Sequence, residues 1–213
     1  MSDILSKDPR LASPAELNQQ AEAYYSGVGV NKDIKKALEL WHLSANQGYA
    51  KAQFWLYMVY LKGEGVSVDL KESLKWLIKA ARGGLAPAQG ALGTYYNIGE
   101  PFGEKDTVKA FEWYTKAAAQ GLPAAQTVIG TSYWIGNGIR QDPVQAVQYW
   151  TLAADQGFEQ AQYNLSLAYY HGQGVKQDLA TAIKYCRLAA DQGNPEAQYN
   201  LSMAYIKGEG VKK

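Results

Sequence analysis

Residues 161–193 read AQYNLSLAYYHGQGVKQDLATAIKYCRLAADQG. Leu165, Ala168 and Tyr169 stand at i, i+3 and i+4, the spacing of one face of a helix. The run stops at Gly172-Gln173-Gly174, where glycines permit the positive φ at which a helix ends. Asp178 then opens a second helix, because its carboxylate can accept the free N–H groups of the first turn at the positive end of the helix dipole. That second helix runs to Gly193. The stretch therefore predicts a helix–loop–helix pair.

Working outward, the same phrase recurs along the chain. Ala-Gln stands at Ala52-Gln53, Ala88-Gln89, Ala125-Gln126, Ala161-Gln162 and Ala197-Gln198, spaced by 36, 37, 36 and 36 residues. A glycine keeps step upstream, at Gly48, Gly84, Gly121, Gly157 and Gly193, and a Gly-x-Gly pair keeps step downstream in every unit but the third. There the loop reads Gly99-Glu-Pro-Phe-Gly103, one residue longer, and accounts for the single 37. An insertion confined to a loop leaves the flanking helices in phase.

Asp33, Asp69, Asp106, Asp142 and Asp178 recur once per unit and are expected to be N-caps. Asp69 with Glu72 has capping-box spacing, and Pro143 suits a first helical position, where no N–H is needed. The second helices alternate small and large apolar residues: Ala110, Trp113, Ala117 and Ala118 in one, Ala146, Tyr149, Ala153 and Ala154 in another. Alanines let helix axes approach and the aromatic fills the gap beside them. Truncating Trp113 or Tyr149 is expected to cost ~3 kcal/mol or more. One helix pair cannot bury its apolar face alone, so the units must stack.

Bulk composition excludes several classes. The 213 residues are 47% hydrophobic and 19% charged, ordinary globular values. A net charge of +1 gives no reason to expect nucleic acid as partner. Cys186 is the single cysteine and cannot form an intrachain disulfide. The start, MSDILSKDPRLASPAEL, lacks a basic segment followed by an apolar run, and no stretch approaches the ~18 apolar residues of a membrane span. A cytoplasmic protein with no membrane contact is the expectation, monomeric by default.

The pattern A-Q-x-x-L-G/S-x-x-Y-x-x-G-x-G-V-x-x-D-x-x-x-A-x-x-W/Y-x-x-x-A-A-x-Q-G resembles the Sel-1-like repeat (SLR), a relative of the tetratricopeptide repeat. The likeness covers residues 14–213. It implies an all-α fold, a right-handed superhelical solenoid of antiparallel helix pairs with about eleven helices. The expected organisation is a flexible N-terminal segment over residues 1–13, then a single solenoid of about five full repeats and a terminal half repeat. The opening helix, from about Pro14 to Ser26, matches weakly and is expected to cap the stack. The last unit stops at Gly208-Glu-Gly-Val-Lys-Lys213, before its second helix, so the chain is either a fragment or ends on a capping helix.

The resemblance also implies a function, that of an adaptor or scaffold holding a protein or peptide in the concave groove lined by first helices. By the related tetratricopeptide geometry the lining positions are Phe54, Met58, Leu61 and Lys62 in the second repeat and Asn97 in the third. They are Thr131, Trp134 and Ile135 in the fourth, Tyr163, Leu167, Tyr170 and His171 in the fifth, and Met203 and Lys207 in the last. This lining mixes aromatic, Met and β-branched residues with few charges, which suits an apolar or mixed epitope. Replacing Trp134 and Tyr170 by alanine is expected to abolish partner binding and leave the fold intact. Two other functions use the same surface: an immunity protein that wraps and neutralises an enzyme toxin, and the interaction region of a larger enzyme or regulatory protein.

No catalytic or cofactor site is expected. His42 and His171 lie on different helix classes without His or Cys companions at ligand spacing, so no metal site is predicted. His171 precedes a Gly-x-Gly loop and is expected to face the carbonyls at a helix end. None of the Gly-x-Gly pairs continues into a phosphate-binding loop. Cys186 falls on a second helix as a half-buried small side chain, and no Ser-His-acid set is readable.

Overall fold

The computed structural model describes residues 12–99 and 103–208. Among the described residues there are eleven helices and no strand. They are α1 (Pro14–Ser26), α2 (Ile34–Asn46), α3 (Ala50–Lys62), α4 (Leu70–Arg82), α5 (Ala86–Ile98), α6 (Thr107–Ala119), α7 (Pro123–Ile135), α8 (Pro143–Ala154), α9 (Glu159–His171), α10 (Leu179–Asp191) and α11 (Pro195–Lys207). The fold is an all-α solenoid whose helices group into two compact units, residues 1–92 and 93–213, the boundary falling inside α5. The expected N-terminal segment lies outside the described residues up to residue 11. Of its last two residues, Ala12 is buried and Ser13 caps α1.

Each second helix starts as its aspartate dictates. Asp33 accepts from the Lys36 N–H at 3.0 Å, Asp69 from Glu72 at 2.9 Å and Asp106 from Lys109 at 2.9 Å. Asp142 and Asp178 each accept from two backbone N–H groups. Only half of the expected capping box forms at Asp69, because the Glu72 side chain turns to Lys75 at 3.0 Å. A complete box stands instead at Ser13 and Glu16, opening α1.

The loops close on one recurring bond. The N–H of the capping aspartate donates to the carbonyl of the repeat's Tyr: Asp33 to Tyr24, Asp69 to Tyr60, Asp142 to Tyr133 and Asp178 to Tyr169, at 2.8–3.0 Å. Asp106 makes the same bond to Tyr96 at 2.8 Å across one extra residue. The one extra residue of this loop thus leaves the closing bond in place before the next helix begins.

The Ala-Gln phrase has a structural cause. The alanine is fully buried where helices touch, and the glutamine amide reaches back to the end of the preceding helix. Gln53 donates to Ala45, Gln89 to Ala81, Gln126 to Ala118 and Gln198 to Ala190, at 3.0–3.3 Å. Each bond adds a second donor to a last-turn carbonyl that already accepts from the N–H of the glycine after the helix.

In the first unit the core centres on Trp41, fully buried and stacked on Trp55 at 5.0 Å between ring centres. In the second unit the buried rings of the second helices are Tyr114 and Trp150. Trp113 and Tyr149, the aromatics expected to fill the core there, are only half-buried. Lys116 lies over the Trp113 ring at 4.1 Å, and Tyr149 stacks on Tyr133 at 5.9 Å. One residue along a helix turns a side chain by about a quarter of a circle, so the neighbouring ring takes the core.

Candidate functional site

The predicted lining residues separate into two sets. In the first unit Phe54, Met58 and Leu61 are half-buried along α3 and Lys62 is exposed. The Phe54 ring leans on Tyr57 at 5.4 Å, and the Lys62 ammonium lies 3.7 Å from the Glu64 carboxylate. In the second unit several predicted residues are occupied by packing. Thr131 donates to the carbonyl of Thr127 at 3.0 Å within its own helix. The Asn97 side-chain oxygen accepts from Asn137 at 3.3 Å. Tyr163 packs on the cluster around Cys186, and its hydroxyl accepts from Asn200 at 3.3 Å.

Trp134 also belongs with the core. It is half-buried, its ring centre stands 5.1 Å from that of Trp150, and it packs against the buried cluster of α8 and α9. Truncating it would open space beside Trp150, so the alanine pair at Trp134 and Tyr170 cannot separate binding from folding. Ile135, the next residue, is 62% exposed and faces away from that cluster.

Five predicted residues converge. Leu167, Tyr170 and His171 of α9 and Met203 and Lys207 of α11 border one cleft of about 340 Å³. Its floor comes from α10, through Ala182, Ile183 and Cys186. Ser166, Asn200 and Ala204 complete it. None of the bordering residues is acidic, and Lys207 and His171 stand at its edge. His171 is the last residue of α9, as its place before the loop predicts, and its ring meets Tyr170 edge-on at 5.1 Å. The sequence analysis named the α9 and α11 members as expected lining residues. It gave no sign of the α10 floor, since Cys186 looks like any small core residue.

Cys186 is buried and its thiol donates to the Ala197 carbonyl at 3.2 Å. Burial pushes its pKa up, and a hydrogen bond with Ser166 offsets this in part, so the group stays a thiol and not a thiolate nucleophile. His42 is half-buried in the first unit, with Nε2 3.1 Å from the Tyr60 hydroxyl. Among the described residues no three or more His, Cys, Asp or Glu side chains are grouped to hold a metal. No helix among them is long and apolar enough to cross a membrane.

Repeated helix pairs, closed by the same loop bond and tied by the same glutamine, define a class of protein: an α-solenoid of helix-pair repeats. The Sel1 repeat model matches residues 21–49, 50–85, 86–122, 123–158, 159–194 and 195–213, and the chain belongs to the Sel1 repeat family. Such repeats generally mediate protein–protein interactions. Among solved structures, a protective antigen of uropathogenic Escherichia coli with an SLR fold is 30% identical at a TM-score of 0.87. The match covers 94% of this chain and 43% of the antigen, so this chain spans less than half of that protein's length. A Sel1 repeat protein from Oxalobacter formigenes is 35% identical at a TM-score of 0.83, over 94% of this chain and 80% of that one. An immunity protein from Pseudomonas aeruginosa shares the fold at 22% identity and a TM-score of 0.52, over 84% of this chain and 68% of its own. No curated protein sequence matches the chain.

Proposed function

We propose that this protein is a non-catalytic, cytoplasmic interaction scaffold that holds a protein partner against the first-helix face of its second unit. The observation that carries this reading is the cleft bordered by α9, α10 and α11, where five predicted contact residues meet over an apolar floor. Elsewhere on the second unit, as at the cleft, the ends of the first helices present large apolar side chains to solvent. Ile98 and Ile135 are 60% and 62% exposed, and Tyr170 and Ile206 are also exposed. Side chains of this size left open near a cleft-bearing helix class are what a partner would cover, although second helices also expose some, such as Val108 and Leu152.

The neutraliser reading uses the same surface, and its support is the shared fold with the Pseudomonas aeruginosa immunity protein. No residue of this chain favours it over a scaffold, so the scaffold is the reading adopted.

The test is affinity capture from the native cell with three forms: wild type, Ile98→Lys/Ile135→Lys, and Leu152→Lys. Leu152 is 52% exposed on the second helix α8, and substitutions at such exposed sites leave stability within about 0.5 kcal/mol. The expected outcome is a protein recovered with wild type and Leu152→Lys and lost with the isoleucine pair. Loss with Leu152→Lys alone would overturn the assignment.

A further inference from the structure

We infer that the cleft over Cys186 is a receptor for one aromatic side chain with a carboxylate beside it, carried by the partner segment; this deepens the scaffold reading and rests on it. The inference comes from the repeat register. Eight residues after each capping aspartate, the second helices place Trp41, Leu77, Tyr114, Trp150 and Cys186. All five are buried. The matching first-helix position holds Ala21, Tyr57, Gly93, Gly130 and Ser166.

These positions touch. A Cβ added at Gly93 would lie 2.9 Å from the Tyr114 ring, and one added at Gly130 would lie 2.5 Å from the Trp150 ring. Ser166 and Cys186 border the same cleft. In four repeats, therefore, one partner of the pair is large: Ala with Trp, Tyr with Leu, Gly with Tyr, Gly with Trp. The fifth pairs Ser with Cys, and the space that a ring occupies elsewhere is the open cleft of about 340 Å³. That volume is at the small end of ligand clefts and suits a side chain, not a helix.

The walls specify what enters. Leu167, Ile183 and Met203 give an apolar lining, and the thioether of Met203 with the Cys186 sulfur favours an aromatic ring. Lys207 and His171 at the edge, with no acid on the border, favour an anion next to that ring. The repeats show the occupant in intramolecular form: Trp150 fills the equivalent space against α7, its indole N–H donating to the Thr127 carbonyl at 3.2 Å.

The test titrates N-acetyl-tryptophan into the ¹⁵N-labelled full chain. Saturable shifts are expected at the amides around Leu167, Cys186 and Met203. N-acetyl-tryptophanamide, which lacks the carboxylate, should bind about two- to fivefold more weakly, and Lys207→Gln should erase that difference. Ser166→Gly/Cys186→Trp copies the Gly130–Trp150 pair, and Cys186→Leu copies the side chain of Leu77. Both should lose probe binding by about tenfold or more, with melting temperature kept or raised. Absence of saturable shifts, shifts centred elsewhere, or unchanged binding in a folded filled variant would overturn the inference. These results are separable from the scaffold reading: capture that persists without probe binding removes the cleft alone, whereas probe binding without capture removes the scaffold alone.

Discussion

The burial of His42 is expected to make stability depend on pH. His42 of α2 packs edge-on against Trp76 at 5.8 Å and meets the Tyr60 hydroxyl at 3.1 Å. Burial lowers its pKa below the ordinary 6.5; nearby Glu72 works against that shift and Lys75 adds to it. In the folded chain the ring is thus neutral at a pH where the unfolded chain already binds a proton. The unfolded state holds more protons in that window, so stability rises with pH there. It is complete above about pH 6.5 and falls as the pH drops from there toward the lowered value. Thermal melts at pH about 7.5 and about 5.5 should show a larger loss for wild type than for His42→Gln, whose amide keeps a partner for Tyr60 without titrating in this range. Parallel losses in the two forms would show that His42 does not supply the dependence.

At the scale of elements, helix pairing is decided by close approach at a few sites. Gly130 lies in α7 where alanine would be the better helix former by about 1 kcal/mol. Its Cβ would nevertheless meet the Trp150 ring at 2.5 Å, with the Ala146 carbonyl at 3.0 Å behind it, so the clash has no soft exit. Overpacking costs about 1–3 kcal/mol and outweighs the propensity gain. Gly130→Ala should therefore lower stability in a denaturant titration; an unchanged or raised midpoint would contradict the packing described. This contact also marks where the sequence stopped being legible. Helix pairs, loop positions and aspartate caps could be read directly, because each rests on a residue type with a strong local preference. The choice of buried ring could not. Trp113 and Tyr114, or Tyr149 and Trp150, are adjacent aromatics, and the one that goes inside depends on the glycine opposite, on another helix. Trp134 misled for the same reason, its neighbour Ile135 being the exposed member. The Ala-Gln phrase was visible as a period, but its role depends on a carbonyl eight residues earlier, at the end of the preceding helix.

At the scale of the whole molecule, the proposed partner contact falls on first-helix ends and not on second helices. Both carry some exposed apolar side chains: Val144, Leu152 and Leu188 lie on second helices, at 40–52% exposure. What distinguishes the first helices of the second unit is that α9 and α11 border the cleft, with its missing ring. Family membership agrees with a scaffold and leaves the partner open, because the repeat constrains the positions that pack and not those that face solvent. What was legible of the cleft was the register that brings Leu167, Tyr170, His171, Met203 and Lys207 to its border. The measurement that tests this division most directly is site-specific photocrosslinking in the native cell, with a benzophenone side chain placed in turn at Ile98, Ile135, Leu152 and Leu188. The account predicts one and the same protein adduct from positions 98 and 135 and none from 152 and 188. An adduct formed only at 152 or 188 would place the partner on the second helices and contradict it.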